Sequence, residues 1–302
     1  MVEAVFKPKR SAYLAGLIDG DGSFSIRYDH HAGYQLTTCV YSTHRPLMNW
    51  LVNQFGGGFR KTHTVGNRKQ KYQWYTSASE VSCGVAPYLI LKSNQGRIVQ
   101  QFISLGSERN PEARNDLMLD LQRANDYFVP VVKIRFDQFV SPTKTDYAYL
   151  AGLFDAEGSF SIVHHGDAYT SVARISNTDQ RIFPWLLSRF RGYMHAQPRK
   201  DGRTEGTWIL SGKKKAAKEQ QLLAIMPYLV VKRHRAIIYL DWIRYCRVWT
   251  RAKKDEIINQ MAQLNHRGLS PEANMSSTPL GVKIGSDLPG DEQRVDVVTQ
   301  ST

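Results

Sequence analysis

The sequence predicts an α+β protein of two tandem, pseudo-symmetric α-β-β-α-β-β-α units, each with an antiparallel four-stranded sheet. Three observations carry that expectation. The chain repeats itself: residues 13–26 read YLAGLIDGDGSFSI and residues 149–162 read YLAGLFDAEGSFSI, identical at eleven of fourteen positions without a gap. Further on, PYLILK at 87–92 answers PYLVVK at 227–232, so the offset drifts only from 136 to 140 residues. Each copy also passes from helical spacing of apolar and small residues into apolar–polar alternation, the mark of a half-buried strand. The units are placed at 1–127 and 147–267, with a linker at 128–146 that contains Pro130 and Pro142.

In chain order, residues 11–21 and 147–157 have helical spacing and then meet a glycine, which suits a helix stop. The following SFSIRY and SFSIVH alternate, turning Phe24, Ile26 and Tyr28 inward in one copy and Phe160 and Ile162 in the other. Residues 34–42 and 169–176 read as second strands. MNWLVNQF and PWLLSRF suit helices, with Pro46 and Pro184 acceptable near their first turns. Two hairpins follow, pivoting on Gly66-Asn67 and on Asp201-Gly202, and Trp74 and Trp208 occupy equivalent places in them. Helices at 79–86 and 94–105 finish the first unit, and helices at 213–226 and 233–249 the second.

The 302 residues include 40 Lys and Arg against 27 Asp and Glu, a formal net charge of +13, and 42% are hydrophobic. That composition supports a packed core and excludes a disordered basic tail protein. From Gly268 to Thr302 the chain turns to Ser, Pro, Gly, Thr and acids, and reads as a disordered tail. No apolar run approaches the ~18 residues a membrane span needs. The opening MVEAVFKPKR lacks the apolar core of a secretory signal. Cys39, Cys83 and Cys246 have no paired spacing, which argues against a disulfide framework or zinc ribbon. The expectation is an intracellular protein with a polyanion as partner and no membrane.

Chemistry concentrates at the repeated segment. Gly16 with Gly20, and Gly152 with Ala156, put small residues four apart on one helix face, so two helix backbones can approach closely. Asp21 and Glu157 then end two adjacent helices. A helix C-terminus is electronegative and neighbouring carboxylates repel, so such a pair takes up a proton or binds a cation. A hard, oxygen-seeking divalent ion is the natural partner, Mg²⁺ first. Asp19 and Asp155, two residues earlier, read as capping or helix-end polar groups.

The segments LAGLIDGDG (14–22) and LAGLFDAEG (150–158), with a PYLxxK in each half, resemble the LAGLIDADG homing endonucleases of the monomeric, double-motif type. The resemblance covers residues 11 to about 250. It implies two sheets forming a DNA-binding saddle, with the motif helices packed at the interface. It implies site-specific cleavage of one phosphodiester on each strand of a long asymmetric site, leaving short 3′ overhangs, with Mg²⁺ replaceable by Mn²⁺, whereas Ca²⁺ binds without efficient cleavage. It gives Asp21 and Glu157 catalytic and metal-binding roles, with the carbonyls of Gly20 and Ala156 near metal. It sets Lys92 and Lys232 near the scissile phosphates, and Ser42 and Asn177 where a polar side chain orders active-site water. Some members instead assist intron RNA folding as maturases. An acid in both motifs favours the nuclease, because a pure binder has no need of two carboxylates beside phosphates.

The strand surface supplies the binding side. Outward candidates are Ser25, Arg27, Thr37, Arg60, Thr62, Arg68 and Gln70 in the first unit. The second offers Ser161, Thr170, Arg174, Gln197, Arg199 and Arg203. A strand ribbon fits the DNA major groove, where Arg reads guanine and Gln reads adenine, while other basic residues hold phosphate. The histidine pairs at 30–31 and 164–165 read as loop residues near phosphate, since neighbours in a strand point to opposite faces.

Overall fold

The computed structural model describes residues 7–63, 69–106, 110–126, 139–166, 168–190, 192–210 and 215–265. The first unit runs α1 (Pro8–Asp21), β1 (Gly22–Asp29), β2 (Gly33–Ser42), α2 (Arg45–Phe55), β3 (Gly58–Lys61), β4 (Tyr72–Thr76), α3 (Ser79–Val85), α4 (Ser93–Ser104) and α5 (Pro111–Asp126). The second repeats it as α6 (Lys144–Glu157), β5 (Gly158–His165), β6 (Ala168–Asn177), α7 (Ile182–Arg189), β7 (Gly192–Pro198), β8 (Thr204–Leu210), α8 (Lys215–Ile225), α9 (Arg233–Tyr245) and α10 (Arg251–Asn265). Both sheets are antiparallel with matching orders, β1-β2-β4-β3 and β5-β6-β8-β7. The α+β class and the tandem four-stranded sheets are as the repeat predicts.

Helices α1 and α6 form the axis between the units. In α1 every residue from Ser11 to Asp19 is buried, and in α6 every residue from Ala148 to Asp155. Such helices are apolar all round because each touches its neighbour on one side and its own sheet and helices on the other. The close approach rests on glycine. A Cβ on Gly16 would lie 2.1 Å from the carbonyl oxygen of Tyr149, and one on Gly152 would lie 2.0 Å from that of Tyr13. Gly20 abuts Ala156 in the same way, at 2.4 Å from its Cβ. The helix starts are made differently: Pro8 opens α1, whereas α6 has a capping box of Thr143 and Asp146.

Beneath each sheet lies a core anchored on Phe24 and Trp74 in one unit and Phe160 and Trp208 in the other, each 1% exposed or less. Tyr28 departs from the expected inward face. It is 53% exposed, because β1 outruns the helices that cover it, and it packs instead on Tyr34 at 4.9 Å. The Asp201-Gly202 turn is present, with Gly202 at φ 79° and the Arg203 N–H donating to the Asp201 carboxylate. The Gly66-Asn67 turn, Arg68, the 268–302 tail and most of the 128–146 linker lie outside the described residues.

The expected element order omits α5 and α10, which complete each unit. Asn125 Nδ2 donates to the Phe24 carbonyl and Asn265 Nδ2 to that of Phe160, so each helix seals the edge strand of its sheet. The second anchor also repeats: Gln95 donates to the Ala124 carbonyl, and Arg235 to that of Leu264. Arg114 over Phe102 and Tyr34 has its counterpart in Lys254 over Tyr169. Thus the repeat extends to Asp126 and Asn265 at a constant offset of 140. Its only identity in that stretch is the terminal asparagine; the rest is apolar spacing, Leu117 and Leu121 against Ile257 and Met261.

Candidate active site and nucleic-acid interface

Each motif helix ends at its acid because the next residue is glycine in extended conformation, Gly22 after Asp21 and Gly158 after Glu157. No larger residue fits at Gly22, where a Cβ would lie 2.7 Å from the Cys39 carbonyl oxygen of β2. The two ends adjoin: a Cβ on Gly20 would sit 3.2 Å from Cγ of Glu157.

The preceding aspartates organise both ends. Asp19 accepts N–H groups of Ile90 at 2.7 Å, Leu91 at 3.0 Å and Lys92 at 2.9 Å, and the Tyr149 hydroxyl at 2.6 Å. Asp155 accepts those of Val230 at 2.7 Å, Val231 at 3.1 Å and Lys232 at 2.8 Å, and the Tyr13 hydroxyl at 2.8 Å. Each carboxylate thereby caps the turn that opens α4 or α9, and clasps the opposite motif helix through its tyrosine. Both tyrosines are held well above the usual phenol range, by burial first and then by the adjacent aspartate. The sequence reading of these aspartates as caps names the chemistry; the partners lie over seventy residues away.

The lysines that end PYLxxK are not solvated. Lys92 Nζ donates to the carbonyls of Ile18 at 2.8 Å and Asp19 at 2.7 Å. Lys232, 8% exposed, donates to those of Phe154 and Asp155 at 2.7 Å each and of Ala156 at 3.3 Å. A cation at the negative end of each motif helix meets carbonyls of the last turn, of which those of Ile18 and Phe154 also accept the Gly22 and Gly158 N–H groups. Burial lowers both ammonium groups, Lys232 to about 8, against the pull of Asp19 on Lys92 and of Asp155 on Lys232.

Asp21 and Glu157 stand among these cations, and both carboxyls are nevertheless raised. For Asp21 burial is the main cause, opposed by Lys232, Lys71 and Lys92. Glu157 is pushed up to about 7 by burial and by Asp21, with Lys232 and Lys92 pulling down and Glu205 adding to the rise. Two half-buried carboxyls, of which Asp21 suppresses the ionisation of Glu157, are a donor set suited to a divalent cation, with the adjoining helix-end carbonyls of Gly20 and Ala156 as further oxygens. Among the described residues no group of three or more His, Cys, Asp or Glu could hold a metal ion. Ser42 and Asn177 take equivalent places, opposite Tyr72 and Gly206. Their side-chain oxygens accept the N–H of His44 and of Asp179, closing the turns before α2 and α7.

Register defines the open face of each sheet. In the first unit it carries Ser25 opposite Thr37 and Arg27 opposite Gln35. Beyond them come Tyr41, Gln73 and Arg60 in one cross-strand row. Thr62 and Lys71 close the face, and Gln70 folds its amide onto the carbonyls of both. In the second unit the face holds Ser161 opposite Val172, Thr170 opposite Val163 and Arg174 opposite Ser159. Gln197 opposite Glu205 completes it. Arg199 and Arg203, at the hairpin tip, are bound to acids: Arg199 reaches Glu205 at 3.2 Å and Asp201 at 3.5 Å, and Arg203 reaches Asp201 at 2.8 Å. Sequence reasoning missed Tyr41, Lys71, Gln73, Tyr75, Tyr193, His195 and Glu205 on these faces. Odd steps along the chain from the buried Trp74 and Trp208 reach Lys71, Gln73, Tyr75 and Glu205 on the opposite, open face. His164 stacks on Tyr169 with centroids 4.3 Å apart.

No protein-family model matches the chain, and no curated protein matches it in sequence. Solved structures do match in shape. I-LtrWI, a LAGLIDADG homing endonuclease bound to target DNA, aligns with TM-score 0.56 and 17% identity, covering 84% of this chain and 97% of its own. I-GzeII, a LAGLIDADG homing endonuclease in complex with its DNA target, gives 0.55 and 13%, covering 85% and 97%. I-SmaMI, bound to uncleaved DNA target in the presence of calcium ions, gives 0.54 and 17%, covering 84% and 97%. The paired motif helices, the two matched sheets and these alignments establish that the chain has the single-chain, double-motif LAGLIDADG homing endonuclease fold.

Proposed function

We propose that the protein is a site-specific double-strand DNA endonuclease that acts as a monomer and hydrolyses one phosphodiester on each strand. The observation that carries this reading is the Asp21–Glu157 pair at adjoining helix ends, backed by two buried lysines. The pair would hold Mg²⁺, which supplies activation of water and stabilisation of the leaving oxygen. Lys92 and Lys232 position the motif-helix ends, and their charge favours phosphate beside the carboxylates. The sheets, one per half-site, would lie along an asymmetric duplex through Ser25, Arg27, Thr37 and Arg60 on one side and Ser161, Thr170, Arg174 and Gln197 on the other. Short 3′ overhangs are part of the proposal.

The test is a cleavage selection on a randomised plasmid library in Mg²⁺, beside Ca²⁺ and beside the Asp21→Asn, Glu157→Gln double variant. A linear product at one long site, absent in Ca²⁺ and in the variant, is the expected result. Tight binding to a structured intron RNA with no DNA product in any arm would replace this reading with the maturase one.

A further inference from the structure

Among the arginines on the open faces, Arg60 is held in a way the others are not. Its Nε donates to Gln73 Oε1 at 2.9 Å, and its guanidinium lies 5.6 Å from the ring centre of Tyr75. Gln73 sits directly across the strand pair from Arg60 and is 8% exposed. Its Nε2 donates to the Tyr41 hydroxyl at 3.0 Å. A guanidinium only donates, so it forces the Gln73 oxygen toward Arg60 and the amide nitrogen toward Tyr41. Tyr41 is in turn covered by the Lys71 ammonium, 4.9 Å from its ring centre. The outcome is a side chain fixed at Nε and on one face, while its two terminal nitrogens make no hydrogen bond among the described residues.

The comparison with its neighbours is direct. Arg199 and Arg203 are neutralised by Asp201 and Glu205. Arg174 has only a rotatable hydroxyl, Ser159 Oγ, at 3.3 Å from its Nε. Where Arg60 faces Gln73, the second unit places His195 opposite Thr207, and Thr207 bonds Ser176 instead. Gln73 itself is 8% exposed, with its oxygen and its amide each engaged by a neighbour, so it is poorly placed to present an edge to adenine.

We propose that Arg60, oriented by Gln73, reads a guanine in the major groove of the half-site under the first sheet. Guanine offers two acceptors, O6 and N7, side by side on that edge, and the paired Nη1 and Nη2 groups match them end-on. With Nε already engaged, the side-on arrangement through Nε is closed, and the ordering entropy of a long side chain is spent before DNA arrives. Gln73 is therefore a specificity-positioning residue that need not touch DNA. This inference rests on the duplex-binding reading proposed above.

The experiment is selection of bound duplexes from a randomised library in Ca²⁺, read by sequencing, for wild type, Arg60→Ala and Gln73→Met. The methionine keeps the volume of glutamine without its hydrogen bonds. Wild type should demand guanine at one position, and Arg60→Ala should lose that demand while preferences elsewhere persist. Gln73→Met should weaken it about tenfold, within the range of one bidentate contact. Unaltered preferences in the second half-site serve as the folding control. An even loss of affinity across all sequences in Arg60→Ala would make Arg60 a phosphate contact and overturn the assignment. A guanine preference unchanged in Gln73→Met would remove Gln73 from the argument. If wild type itself selects no duplex sequence, the endonuclease reading fails first, a result distinct from failure of the variants alone.

Discussion

The two halves agree where the chain is buried and part company where the sheets are open. Asp19 and Asp155 hold matching sets of three N–H groups and one tyrosine, and Lys92 and Lys232 return to matching helix-end carbonyls. On the open face charge reverses at an equivalent place. Lys71 lies one residue before Tyr72, which pairs with Ser42, and Glu205 lies one before Gly206, which pairs with Asn177. Lys71 lowers the Asp21 carboxyl, whereas Glu205 raises that of Glu157. The duplicated parts are those whose geometry has one solution; the parts facing solvent carry no such constraint and are available for reading two different half-sites.

The strongest way to break this comparison is at the helix contact. Gly16→Ala and Gly152→Ala each force a Cβ against a backbone carbonyl, which cannot rotate aside. Each should cost about 3 kcal/mol or more despite alanine's better helix propensity, and by similar amounts, measured by denaturant unfolding. Unequal losses would show that the pseudo-symmetry does not extend to energetics.

The acids should separate the halves. Glu157 has a folded value of about 7, above its ordinary 4.5, so its protonated form favours folding. The stability it contributes is fully present below about pH 4.5 and is lost as pH rises through 7. In EDTA, Glu157→Gln should therefore raise Tm at pH 8 by the equivalent of up to about 3 kcal/mol, and by little at pH 4.5. Asp21→Asn should act in the same direction but less, because Lys71 offsets part of the effect and Glu205 does not. Equal gains would mean that neither residue reaches the acids.

Smaller effects sharpen the symmetry. Tyr13→Phe and Tyr149→Phe each remove one buried hydroxyl from an aspartate that keeps its three N–H donors, so each should cost about 1–2 kcal/mol. The double variant should be additive, since the two clasps share no partner. Least of all, Asp201→Asn should leave stability nearly unchanged while freeing Arg203 for phosphate. DNA affinity at low salt would rise slightly and its salt dependence would steepen.

Much of this was legible in the residues. The duplicated fourteen-residue segment announced two units, strand alternation placed Phe24 and Ile26 inside, and small residues four apart foretold the helix contact. Asp21 and Glu157 were legible because a glycine follows each at a helix end. Helices α5 and α10 were not, since their repeat survives only as apolar spacing and one asparagine. The resemblance set Lys92 and Lys232 near phosphate; their burial against helix-end carbonyls is invisible to a reading along the chain. The pairing of Arg199 and Arg203 with Glu205 and Asp201 is likewise not legible from residue type, since it depends on the hairpin's register.

The sequence by itself determined the duplication, the fold class and the residue types at the motif ends, because local spacing sets helix and strand and a repeat sets symmetry. Only the tertiary structure decided what Asp19, Asp155, Lys92 and Lys232 are joined to, and that Gln73 steers Arg60. Those links join residues 13 to 142 positions apart. They are created by helix ends and strand registers that meet only after the chain has packed.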